Sequence, residues 1–304
     1  MALGTNKTLV FLLKLLISGI SLYIIFSKTD IRQIFHILRN IGIFPFLIAA
    51  LIYILSQFIS TIRWKLLLPE NFRVGKLFSL YMIGAFFSSF LPGVIGGDAI
   101  RAYYLNKDAK KISLTLASIF MDRYIGYVSL MIIGISAFPF ALVYFGESVY
   151  RWIMPLIFAA FAIGSFLFFS LQLGRRFRVV SEFYEYFSSL KSKKGVILKV
   201  LMVSFIIQFM NFLIVILLAM AMGEDIPALV LFVFLPIIIT ITSLPISISG
   251  LGVREGSFVL LLGLIGVKPE AATSLSLAWF FSVFIGSLLG LFAYIKHTNN
   301  PDAV

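Results

Sequence analysis

Charged side chains inside apolar stretches are the part of this 304-residue sequence that could do chemistry. A charge near the centre of a bilayer costs about 2.5–3.5 kcal/mol on insertion scales, so a charge retained there indicates a functional site. Arginine grips phosphate or carboxylate oxygens with two parallel hydrogen bonds, and a carboxylate can hold a cation or a proton. The pattern predicts a substrate-binding site at Asp98, Arg101, Asp122, Arg123, Arg254 and Glu255.

No catalytic set accompanies these charges. The sequence has no Cys and two His, His36 and His297, both near the edges of apolar stretches. Disulfides, thiolate chemistry and a His-ligated metal site are therefore not predicted, and we expect no cofactor and no catalytic residue. A carboxylate pair for glycosyl transfer would have to come from Asp98, Asp122 and Glu255.

The composition fixes the class of protein that must position these side chains. Hydrophobic residues make up 61% of the chain and charged residues 12%, against about 45–50% and 25% in soluble domains. A soluble enzyme, a disordered chain and a coiled coil are excluded, and so is a β-barrel, whose strands alternate apolar and polar residues. The sequence predicts an all-α, polytopic integral membrane protein.

Apolar runs of about 20 residues predict eight helical passes, of which six are full spans. The first is expected to be a retained helix and not a signal peptide, because no cleavage site follows it. Segments 31–38 and 175–194 are amphipathic and are expected to lie on the membrane surface. The six spans are 8–27, 40–62, 124–146, 152–174, 200–223 and 271–295.

The other two passes, within 77–97 and 226–253, should be broken. Proline removes a backbone donor and clustered glycines weaken a helix, and such a break is tolerated only where protein or a water-filled cavity satisfies the backbone. We expect re-entrant hairpins at 76–101 and 226–267, the alternative being that 77–97 crosses fully. The breaking residues are Pro92, Gly93, Gly96, Gly97, Pro245, Gly250 and Gly252.

The two breaks match each other. In both, a Gly lies five residues and an Arg nine residues after the Pro, and the two copies are 153 residues apart. This spacing predicts pseudo-repeats at about 40–146 and 199–295 within a single transmembrane domain over 1–304. Basic residues number 17 in the segments assigned to the inside and 5 in those outside. The bias predicts cytoplasmic termini and inverted repeats, and anionic lipid, not nucleic acid, accounts for the net charge of +12.

Three segments resemble signatures of the lysylphosphatidylglycerol synthase transmembrane, or flippase-like, family. They are LPGVIGGDAIRAY at 91–103, DRYIG at 122–126 and LPISISGLGVREG at 244–256, with Arg63-Trp64 resembling a shorter element. The resemblance implies a membrane domain that moves a modified lipid between leaflets. Bifunctional members add a cytoplasmic domain that transfers an aminoacyl group to phosphatidylglycerol. We expect no such domain here, because the chain stops at Val304.

These observations favour a lipid flippase of the cell membrane, with the arginines holding a phosphate-bearing headgroup and the acids holding cationic groups or protons. Aminoacylated and glycosylated headgroups both stay open, so the expected partners are anionic phospholipid or glycolipid. One alternative is a membrane enzyme that acts on a lipid-linked sugar or phosphate. Another is an accessory partner of a separately encoded lipid-modifying enzyme. In a further interpretation, the six charges pair only with each other as structural ion pairs.

Overall fold

The computed structural model describes residues 3–91, 95–106, 112–146, 149–172, 174–175, 177–244 and 246–299. Across these residues the protein forms α-helices joined by short turns, with 3-10 turns at Leu142–Tyr144 and Val149–Trp152. The helices are α1 (Leu3–Ser27), α2 (Ile31–Asn40), α3 (Ile43–Leu67), α4 (Val74–Ser88), α5 (Ile95–Asn106), α6 (Ile112–Ala141), α7 (Ile153–Leu171), α8 (Arg178–Ser192), α9 (Lys194–Ala221), α10 (Ala228–Ser243), α11 (Val253–Gly263) and α12 (Pro269–Asn299).

Five of the described helices are long and apolar enough to cross a membrane, namely α3, α6, α7, α9 and α12. A sixth span is possible if α1 is counted together with α2, from which it is bent by 90°. The Asp30 carboxylate caps α2 by accepting a hydrogen bond of 2.8 Å from the Arg32 backbone N–H. The predicted class, an all-α polytopic membrane protein, is confirmed.

The helices are interrupted at both of the predicted breaks. Between Ser88 and Ile95, the short helix α4 gives way to α5, which packs back against it. A Cβ atom on Gly97 would lie 2.1 Å from the backbone oxygen of Gly84, so only glycine permits this close approach. The predicted breaking residues Pro92, Gly93 and Pro245 lie outside the described residues.

The second break, between Ser243 and Val253, is longer than the first. Gly250 and Gly252 have φ angles of +76° and +81°, a backbone conformation that favours glycine. The N-terminal helix α1 packs here, and the Ser18 hydroxyl accepts a 3.0 Å hydrogen bond from the backbone N–H of Ile248. A protein side chain therefore satisfies part of the exposed backbone at this break.

Two groups of four helices have the same order of lengths. The helices α3 to α6 contain 25, 15, 12 and 30 residues, and α9 to α12 contain 28, 16, 11 and 31. The helix α3 packs on α9, α4 packs on α12, and α10 packs on α6. The second helix of each group, α4 or α10, thus lies against the long last helix of the other.

The amphipathic helix α8 packs against the bundle through its aromatic face. Phe183, Tyr184 and Tyr186 are buried among side chains of α6 and α9, and the Tyr186 hydroxyl donates a hydrogen bond to the Leu67 carbonyl at the end of α3. Burial raises the pKa of the Tyr184 hydroxyl. This segment is thus fixed to the ends of three helices and does not merely lie on the membrane surface.

Candidate functional site

A polar cavity of about 350 Å³ lies where the two groups of helices meet. Its volume is at the small end of the range for ligand pockets, roughly 300–1,000 Å³. Residues of α3, α4, α5 and α6 line it together with residues of α9, α10, α11 and α12. No described lining residue is acidic, and the basic ones are four arginines, Arg63, Arg101, Arg123 and Arg254.

The innermost ion pair joins α3 to α6. The Asp122 carboxylate is fully buried and accepts hydrogen bonds from the Arg63 Nε at 2.8 Å and the Tyr81 hydroxyl at 3.0 Å. A second nitrogen of Arg63 donates to the Ser204 hydroxyl on α9 at 3.0 Å. A buried carboxylate needs such partners to stay charged, so Asp122 ties three helices together.

The Arg101 guanidinium is enclosed by aromatic rings. Its carbon lies 4.1 Å from the Trp64 ring centre and 4.0 Å from that of Tyr81, within the range of cation–π attraction. One nitrogen donates to Asp98 at 3.2 Å and another lies 3.6 Å from Asp122. Its Nε and second terminal nitrogen are buried and find no hydrogen-bond acceptor among the described residues. Arg101 therefore keeps donor capacity at the cavity wall.

Arg123 and Asp98 form the most accessible ion pair of the cavity. The Arg123 nitrogens donate to both oxygens of the Asp98 carboxylate, at 2.9 and 3.0 Å. The Arg123 side chain is 38% exposed, whereas that of Asp98 is 15% exposed. Because Asp98 also accepts from Arg101, one carboxylate serves two guanidinium groups.

In the second group of helices the ion pair is local. Arg254 donates to the carboxylate of its neighbour Glu255 at 2.8 Å and to the Ser276 hydroxyl on α12 at 3.1 Å. The other Glu255 oxygen accepts a 2.6 Å hydrogen bond from the backbone N–H of Gly252, which caps the start of α11. The Arg254 guanidinium lies over the Phe280 ring at 4.8 Å. Glu255 thus holds both the helix start and the arginine.

The structure divides the six predicted residues into two sets. Arg101, Arg123 and Arg254 line the cavity, although the first and the last are 153 positions apart. The carboxylates of Asp98, Asp122 and Glu255 contact these arginines and Arg63, and each of these ion pairs stays within one group of helices. Whether any of the six binds a substrate stays a prediction. The predicted glycines Gly96 and Gly97 lie in the first turn of α5.

Sequence reasoning missed the polar stripe that α3 presents to the cavity. Arg63 ends this stripe, and it was not a predicted site residue because it follows an apolar run and precedes Lys65, a pattern typical of a membrane edge. The available signal was the recurrence of polar residues every three or four positions within an apolar span. The stripe comprises Tyr53, Ser56, Gln57, Ser60 and Arg63, and α9 adds Gln208 and Asn211.

Comparisons with known proteins agree with a membrane protein. Residues 11–290 match the family described as the lysylphosphatidylglycerol synthase TM region. The chain is also similar to a UPF0104 membrane protein of Methanothermobacter thermautotrophicus, with 24% identity over 264 residues that cover 75% of this chain and 78% of the relative. No solved structure matches the chain.

Proposed function

Because the chain belongs to the family of lysylphosphatidylglycerol synthase transmembrane regions, we propose that it moves a lipid with a phosphate-bearing headgroup between the two leaflets. The observation that carries this proposal is the convergence of four arginines, from both groups of helices, on one cavity of a membrane protein. Guanidinium groups bind phosphate oxygens bidentately. Arginines on a wall that carries no acidic side chain among the described residues favour an anionic group.

The headgroup enters the cavity while the acyl chains stay in the bilayer. A volume of about 350 Å³ accommodates a headgroup but not two acyl chains. Arg123 and Arg254, on opposite groups of helices, contact the phosphate oxygens, and Arg101 lies behind them. The carboxylates position the arginines, so this assigns Asp98, Asp122 and Glu255 a supporting role.

We also propose that the two groups of helices are inverted repeats around the cavity. Their matched lengths and the reciprocal packing of α4 on α12 and α10 on α6 support a twofold relation. An exchange of the open side between two such halves would carry a headgroup across. The excess of basic residues on one side supports cytoplasmic termini in the cell membrane.

The test uses purified protein in liposomes that contain fluorescent phosphatidylglycerol, with a membrane-impermeant quencher reporting on the outer leaflet. Arg254→Ala should slow transbilayer movement at least about tenfold, the equivalent of one lost charged hydrogen bond. Arg254→Lys should recover part of the rate, because it keeps the charge but not the planar fork. Arg32→Ala, at an exposed position of α2, is the matched control and should move lipid at the wild-type rate.

Melting temperatures of the same preparations separate a binding role from a packing role. A stable Arg254→Ala protein that moves lipid at the wild-type rate contradicts the proposal. If Arg254→Ala is destabilised, the Arg254→Lys variant becomes the test. A stable Arg254→Lys protein that moves lipid at the wild-type rate also contradicts the proposal. Mass analysis of the lipid after the assay tests the enzymatic alternative, which requires a new lipid species.

A further inference from the structure

The charges around the cavity do not balance. Among the described residues, four guanidinium groups line the cavity and three carboxylates bond to them. Arg254 and Glu255 neutralise each other. The remaining three arginines share two carboxylates, which leaves an excess of one positive charge on the side of the cavity formed by α3, α5 and α6.

The excess charge is placed where a ligand could use it. Arg101 is 1% exposed, and two of its nitrogens find no hydrogen-bond acceptor among the described residues. Both carboxylate oxygens of its partner Asp98 also accept hydrogen bonds from Arg123. A buried charge without full compensation is unfavourable, so an anion that binds beside Arg101 and Arg123 gains the interaction that these side chains lack.

One negative charge satisfies this site and a second does not. A single charge neutralises the excess, whereas a further charge is repelled by the buried carboxylates of Asp98 and Asp122. A headgroup with a net charge of zero leaves the excess in place. An added ammonium group also finds no carboxylate on the cavity wall among the described residues, and each of the three acids is already paired with an arginine.

We propose that the cavity selects lipids whose headgroup carries one net negative charge, that is phosphodiesters with an uncharged substituent such as a polyol or a sugar. Phosphomonoesters, zwitterionic headgroups and headgroups with a basic aminoacyl group are selected against. This inference rests on the proposed function for the ligand being a lipid. It deepens that function by assigning the charge of the substrate.

Equilibrium binding of short-chain lipids to the full-length protein in a neutral detergent tests the selection without transport. Trp279 lies on the cavity wall, so its fluorescence reports on occupancy. The assay is run at about pH 8, where a phosphomonoester carries close to two charges. Dioctanoyl phosphatidylglycerol should bind about tenfold more tightly than dioctanoyl phosphatidic acid or phosphatidylcholine, because each differs from it by one charge near a buried arginine. Equal or stronger binding of either competitor overturns the proposal.

Charge-count variants at the accessible ion pair sharpen the test. Asp98→Asn raises the excess to two and should move the preference about tenfold towards phosphatidic acid. Arg123→Gln removes the excess and should move the preference towards phosphatidylcholine. The double variant restores an excess of one and should restore the order of preference among the three lipids, although its affinity for each of them should fall because the Arg123 contact is lost. If the order of affinities for the three lipids is the same in every variant, the proposal is overturned. If a variant fails to accumulate, the order of affinities in the wild-type protein is the test.

A headgroup without tails separates the two proposals. Glycerophosphoglycerol carries the same phosphodiester as phosphatidylglycerol and should bind more weakly, because the lipid also buries acyl chains. Equal affinity overturns the assignment of a lipid ligand. If the lipids bind in the expected order of affinity but the protein does not move lipid in liposomes, the proposed translocation is contradicted and the charge selection is supported. Lipid movement with a flat or reversed ranking overturns the charge selection alone.

Discussion

The two broken segments carry their charges in different ways. In the first group of helices, Arg63, Arg101 and Arg123 reach two carboxylates across α3, α5 and α6. In the second, Arg254 pairs with Glu255, its neighbour on α11. One arrangement depends on three helices staying together, and the other is largely complete within a single helix. The ion pairs of the first group therefore depend on tertiary packing, whereas the ion pair of the second group moves together with α11.

The largest effect should come from the carboxylate on which the first arrangement depends. Asp122→Asn leaves Arg63 without a charged partner in a buried site, and we expect it to lower the free energy of unfolding by about 3–5 kcal/mol. Glu255→Gln is the matched variant and should cost less, about 1.5–3 kcal/mol, because Glu255 contacts one arginine whereas Asp122 contacts two. Unfolding in mixed micelles followed by circular dichroism measures both. Equal losses would show that the two arrangements do not differ.

Substituting one glycine by alanine in each broken segment should change the stability by an intermediate amount, with opposite signs in the two segments. A Cβ on Gly97 would collide with Gly84 and Ser88 across the hairpin, so Gly97→Ala should cost about 1–3 kcal/mol. In α11 the nearest atom to a Cβ on Gly256 is 3.9 Å away, on Ile25. Gly256→Ala should therefore stabilise by about 0.5–1 kcal/mol, through helix propensity. Melting temperatures of the two variants test the sign, and a shared sign contradicts the packing argument.

The smallest effect on stability is expected at the accessible ion pair. Asp98→Asn should lower the free energy of unfolding by less than Asp122→Asn does, because Arg123 is more than one-third exposed and solvent screens its pair with Asp98, while the buried Arg101 keeps its contact with Asp122. The same unfolding assay measures it beside Asp122→Asn. A loss as large as that of Asp122→Asn would mean that the buried contact of Asp98 with Arg101, and not its exposed pair with Arg123, determines its contribution to stability.

The sequence predicted the helices better than their contacts. Charge-free runs located the spans because a bilayer admits only backbone that is hydrogen-bonded within its own segment. Proline and glycine located the two interruptions for the same reason. Although the spacing from Pro to Arg is the same in both segments, the two arginines occupy different positions in their helices. Arg101 lies in the second turn of α5, and Arg254 lies in the first turn of α11. Spacing along the chain does not set where a helix resumes.

The site was predictable only where a charge stood alone in an apolar context. Arg101, Arg123 and Arg254 stood out in this way, and the structure places all three on the cavity wall. Arg63 did not, because its position at the end of an apolar run is also typical of a membrane edge. The pairing of Asp122 with Arg63, 59 positions away, depends on how α3 packs against α6. No local pattern in the sequence specifies that contact.

The hydrogen bond between Ser18 and Ile248 has a consequence for biosynthesis. The helix α1 is synthesised before α2 to α12, and the break on which it packs lies 230 residues later in the chain. Residues of α1 such as Leu12, Leu16 and Ile20 remain about half exposed in the folded protein. Because these apolar side chains suit a lipid environment, α1 can lie in the bilayer while the following helices are synthesised. The contact between α1 and this break can therefore form only after the chain has been synthesised beyond Ile248.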